Sequence, residues 1–189
     1  MANSANYFGF APVRHLSGGM IRASEKQILY SYATKIYKGD PVKLASDGTI
    51  QLAAAGDRTL GIFGGCSWID SDGTPRFESR WTAPAATLGS VNAKAFVYDD
   101  PNIVFAVRSG GTPAQTSAGL LADHVAGTGS DLTGNSGAYL SGTMANTDGQ
   151  FRILGFDQRA DNEVGIYAIL EVLIREHEYG MDDAGTPGV

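Results

Sequence analysis

Turn chemistry interrupts this chain about every ten residues, and that spacing restricts most what it can fold into. Lys38-Gly39-Asp40-Pro41, Ser46-Asp47-Gly48, Gly56-Asp57, Asp70-Ser71-Asp72-Gly73 and Asp99-Asp100-Pro101-Asn102 break the apolar runs early. VKLA and TIQLA flank the first Asp-Gly, with Ile50 and Leu52 on one face, and read as a hairpin. TLGIFGGCSWI (residues 59–69) reads as an apolar strand loosened by three glycines, which mark bulges, bends or close backbone approach. PRFESRW alternates Phe77 and Trp81 with polar residues, and AKAFVYDDPNIVFAV reads as a second hairpin closed by DDPN. Residues 28–36, ILYSYATKI, read as an earlier strand. Eight or more short strands at this spacing predict a mainly β chain: an antiparallel β-sandwich or barrel.

Residues 109–149 are dense in Gly, Ser and Thr and read as long loops carrying short strands. Within them AQTSAGLLADHVA could form a short helix with Leu120, Leu121 and Val125 inward, although Gly119 weakens it. FRILGF and VGIYAILEVLI follow, joined by DQRADNE; their β-branched residues, the glycine before the second run and the hairpin-length connection favour strands. These features divide the chain into an extended N-terminal arm (residues 1–20), one β-rich domain (21–180) and a polar C-terminal tail (181–189). The arm carries Tyr7, Phe8, Phe10, Arg14 and Leu16 without clear periodicity. It reads either as a strap that docks across a protein–protein boundary, or on its own domain, or as a first core strand.

Composition narrows the function classes. Hydrophobic residues make up 43% of the chain and charged residues 18%, enough apolar material for a core. Glycine accounts for 25 of 189 residues, well above the ordinary share of ~7%. The net charge of −6 gives no general attraction to nucleic acid, so no nucleic-acid partner is expected. A single cysteine excludes an internal disulfide and predicts folding in a reducing compartment. The start shows neither a basic n-region nor an apolar h-region, and no stretch approaches a membrane helix. The expectation is a soluble chain made in a cytoplasm, without a membrane partner.

Each constellation that could carry chemistry has a plainer structural explanation. Cys66, in Gly64-Gly65-Cys66-Ser67-Trp68, would need a histidine partner and a lowered pKa to act as a nucleophile; its apolar flanks predict a buried core residue. His15, His124 and His177 are more than 50 residues apart, without the i,i+4 pairing of a zincin, so no metal is expected. Asp70-Ser71-Asp72-Gly73 opens like a calcium loop but lacks the later glutamate; it, Asp99-Asp100 and residues 157–163 read as turns. Gly127 to Gly134 lacks the G-K-[ST] ending of a phosphate loop, and Gly134-Asn135-Ser136-Gly137 misses a nucleophile elbow by one position. No catalytic residue and no cofactor is therefore expected. Trp68, Trp81 and the tyrosines leave a carbohydrate-binding module as a further reading, and Cys66 a cysteine hydrolase.

The order of segments carries more than any single motif. KGDPVKLASDGTIQLAAAGDRTLGIFGG (residues 38–65), SWIDSDGTPRFESRWTAP, AKAFVYDDPNIVFAV, GTGSDLTGNSGAYLSG and RILGFDQRADNEVGIYAILEVLIREHEY together resemble capsid decoration, or cement, proteins of tailed bacteriophages. The likeness spans roughly residues 36–179 and is one of style and order. It implies a non-enzymatic virion protein, made in the bacterial cytoplasm, that binds the major capsid protein on the outside of the head, often as a homotrimer. A tail, fibre or head–tail adaptor component shares the same Gly-rich β style.

Overall fold

The structure, a computed structural model, describes residues 3, 8–82 and 88–180. Among the described residues fifteen strands follow one another. They begin with β1 (Ala11–His15), β2 (Ser24–Ile28), β3 (Ile36–Tyr37), β4 (Pro41–Leu44) and β5 (Ile50–Leu52). β6 (Gly61–Ile69), β7 (Pro75–Glu78), β8 (Arg80–Trp81), β9 (Ala93–Tyr98) and β10 (Ile103–Arg108) come next. β11 (Leu121–Ala122), β12 (His124–Val125), β13 (Tyr139–Leu140), β14 (Phe151–Phe156) and β15 (Ile169–Ile174) complete the set. One sheet has the order β1-β10-β15-β14-β11; a second has β2-β9-β6-β4-β5, with β7 also paired to β6. Two small ribbons, β12-β13 and β3-β8, lie beside them. The named strand pairs are all antiparallel, the arrangement is that of a β-sandwich, and among the described residues no sheet closes into a barrel.

Apolar residues collect in two clusters. Phe10, Phe105, Phe151, Leu170 and Val172 centre the first, and Ile28, Val42, Phe63, Cys66 and Trp81 the second. Strand β6 serves both, because alternate residues face opposite ways: Ile62 joins the first cluster and Phe63 the second. Gly65 sits at a register shift against β9 with φ +147°, a backbone setting that favours glycine.

The Asp-Gly hairpins form as the turn residues dictate: β4 pairs with β5, and β6 with β7. The DDPN turn also forms, with Asn102 N–H donating to the Asp100 carboxylate. Its two strands are nevertheless not a hairpin. β9 runs between β2 and β6, whereas β10 runs between β1 and β15, so this turn carries the chain from one sheet to the other. Both strands are rich in buried residues, and each finds partners on two sides, which a lone hairpin cannot give.

Three further expectations are corrected. Residues 28–36 are not a strand: Ile28 ends β2, Ile36 begins β3, and Tyr32 N–H donates to Leu29 O in a reversal between them. The strand lies upstream, in the polar SEKQI, which pairs as an edge strand with β9. AQTSAGLLADHVA makes only the 3-10 turn Gln115–Ser117; Gly119 adopts φ +90°, and Leu121 and Val125 enter β11 and β12. The last connection is longer than a hairpin loop, because β15 starts only at Ile169 and leaves Val164 and Ile166 exposed.

Of the two readings of the first 20 residues, residues 10–15 follow the first strand. β1 is an edge strand on β10, Phe10 is buried in the first cluster, and Phe10 N–H donates to Gly39 O. Tyr7 lies outside the described residues.

Candidate interface

The sequence's candidate nucleophile is placed in the core. Cys66 lies on the inner face of β6, 1% exposed, and its thiol donates to Arg80 O at 3.2 Å. Burial, with a smaller push from the nearby Glu78 carboxylate, raises the thiol to about 12, so thiolate is absent near neutral pH.

The histidines stand apart and are held by local bonds. His15 meets the Asp100 carboxylate at 3.1 Å. His124 is buried between Gln150 Oε1 and Ala53 O, and burial holds its pKa below the ordinary value although both oxygens favour the cation. His177 is buried with Nδ1 accepting from Tyr179 N–H. Among the described residues no three His, Cys, Asp or Glu side chains group as metal ligands.

The acidic turns bond to themselves. Asp70 accepts from Ser71 N–H and Arg76, Asp72 from Thr74 N–H, and Asp157 pairs with Arg159. Backbone and side-chain bonds from Thr74 hold Asp72 below the usual carboxylate range. The Gly127–Gly134 stretch closes on itself through Gly134 N–H to Ser130 O, and its Asp131 holds Lys35 and Tyr37.

The arm residues divide. Phe10 is internal, Arg14 reaches Glu171 on β15 at 2.6 Å, and Phe8 is half-buried beside Arg108. Leu16 stays exposed near Val13 and Met20 in sequence, the apolar part of the segment left on the surface.

One surface is built differently from the rest. The register Phe77↔Ser67↔Lys94 sets these three residues in a row across β7, β6 and β9, on the face opposite Cys66 and Ala95. Ile69 and Pro75, paired two residues further along, share that face. With Val91 and Trp68 they line an open groove of about 410 Å³ whose walls are mostly apolar. Phe77 is 76% exposed, Val91 65% and Ile69 52%. Lys94 and Arg76 edge the groove, paired to Glu25 and Asp70.

This face was half visible in the sequence. Phe77 and Trp81 share a phase in the alternation, yet the bend at Ser79 between β7 and β8 turns them apart, and Trp81 is fully buried. Trp68 meets Trp81 edge-on at 5.6 Å and 80°, so the two indoles make no flat platform for a sugar ring. No family model, no curated protein and no solved structure matches the chain.

Proposed function

We propose that the chain is a structural virion protein of the decoration type, which binds the outer surface of a tailed-phage head and stabilises the shell. Its partner on this reading is the major capsid protein, and its working form a homotrimer. The observation that carries the reading is the groove of Ile69, Pro75, Phe77 and Val91 on the outer β7-β6-β9 face, since large exposed apolar patches mark protein interfaces. The segment order that resembles cement proteins supports the same assignment, as does the burial of the one thiol.

The apolar side chains of a shell protein are the occupant this reading assigns to the groove. A trimer would present three such grooves at once, and the resulting effective concentration lets modest contacts hold. The test is co-sedimentation of purified protein with expanded, empty heads, followed by an electron-microscopy map. Density on the outer surface with the β6–β7 face against the shell supports the proposal. Absence of binding rejects it, and density on the tail or at the portal assigns the chain to the tail or adaptor parts instead. Light scattering that returned a monomer both free and in the presence of heads would reject the trimer.

A further inference from the structure

After β15 the chain leaves its own sheet and crosses to the other. Arg175 and Glu176 N–H both donate to Gln150 O, which anchors the departure. Thr59 N–H then donates to Glu176 O at 2.8 Å and Glu178 N–H to Thr59 O at 3.1 Å, so the segment runs beside the connection that enters β6. Leu44 N–H donates to Glu178 Oε1, and Lys26 Nζ to the Tyr179 hydroxyl. Residues 175–180 thus lie as a strap across the edge of the second sheet.

His177 is 2% exposed at the centre of the strap. Its Nδ1 accepts Tyr179 N–H at 3.0 Å, which places the single ring proton on Nε2. A second proton would have to sit on Nδ1, where it would confront the Tyr179 N–H donor. Protonation therefore breaks the bond that shapes the strap and creates a charge away from water. We propose that residues 175–180 are a proton-released strap: His177 remains neutral while the segment is docked and takes up its proton when the segment lifts off the sheet.

The surrounding charges do not cancel this. From the β9–β10 connection, the backbone of Asp99 and the charges of Asp99 and Asp100 favour the cation; the two carboxylates are themselves paired, Asp99 with Lys26 of β2 and Asp100 with His15. Glu176 and Glu178 flank the ring on the strap itself, and Tyr179 stands 5.6 Å from it. Burial outweighs these attractions and holds His177 below its ordinary value. The sign follows: a histidine depressed in the docked state contributes fully above the free value of 6.5, and that contribution is lost as the pH falls below it.

The test is amide hydrogen exchange on the full chain from pH 7.5 to 5.0, corrected for the intrinsic rate. Protection of Thr59, Leu44 and Glu178 should fall below pH 6.5 by up to about tenfold per pH unit, while β10 and β15 keep theirs. H177N retains an oxygen that can accept Tyr179 N–H but does not titrate, so its profile should be flat. A flat wild-type profile overturns the proposal; an unchanged fall in H177N overturns it too and transfers the effect to Glu176 or His124. If H177N does not fold, NMR titration of the wild-type imidazole decides: a value at or above 6.5 refutes the strap, a lower one sustains it.

Discussion

Phe10 stacks on Phe151, ring centroids 4.5 Å apart and planes inclined by 26°. The contact joins the N-terminal segment to β14 across the first core cluster, with His124 edge-on to the same Phe151 ring. Replacing Phe10 by alanine should cost about 3–5 kcal/mol, the range for a large buried aromatic. Denaturant unfolding followed by circular dichroism reads this directly. Deleting residues 2–17 removes both Phe10 and strand β1, so the truncated chain should unfold at clearly lower denaturant. An unchanged midpoint would return the segment to the role of a detachable arm.

Cys66 should resist thiol reagents in the native state. Its pKa near 12 and its 1% exposure leave labelling dependent on opening of the sheet, so the rate should rise with denaturant below the unfolding midpoint. Cys66→Ala loses one hydrogen bond to Arg80 O and one sulfur's packing, a cost of about 1 kcal/mol. If the chain decorates heads as proposed, that binding should survive the substitution. Rapid stoichiometric labelling at neutral pH would contradict the buried thiol.

What the sequence made legible was the local chemistry. Asp47-Gly48 and Asp72-Gly73 place glycine at φ +78° and +84°, and the turns closed as their residues require. Pairing between distant strands was not legible, because a strand such as IVFAV, buried on both faces, gives no sign of which neighbours cover it. The DDPN turn looks the same whether its strands pair or part. An edge strand can be polar, and in SEKQI only Ile28 is fully buried, so β2 carries little apolar signal. Phe77 and Trp81 share a phase in PRFESRW, and alternation alone cannot register the bend at Ser79 that separates them.

Gln150 had no signal of its own, being one polar residue in a Gly-rich stretch, yet it is fully buried between the sheets. Its Nε2 donates to Ala54 O and Asp57 O, while Oε1 accepts the backbone N–H of His124 and lies 2.8 Å from its ring Nδ1. Gln150→Ala strands several buried groups at once, and each costs about 1–3 kcal/mol when unsatisfied. A loss of about 3 kcal/mol or more in denaturant unfolding is expected, large for a polar-to-alanine change. A loss under 1 kcal/mol would mean that the two sheets do not depend on this bridge.

Phe77 and Trp81 separate stability from binding. Trp81 is fully buried, its indole N–H donating to Tyr32 O at 3.0 Å, so Trp81→Ala should cost about 3–5 kcal/mol. Phe77 presents three quarters of its surface to solvent, and Phe77→Ser should change stability by no more than about 0.5 kcal/mol. The apolar groove loses its most exposed large apolar side chain in that variant. If the β6–β7 face meets the shell, Phe77→Ser weakens co-sedimentation with heads by at least about tenfold, the loss of a central aromatic anchor worth ~2 kcal/mol. Ile69→Ser should act in the same direction from the opposite strand of the hairpin. Full binding by both variants, with unfolding midpoints unchanged, would remove the groove from the interface and leave the exposed Val13, Leu16 and Met20 as the surface to test next.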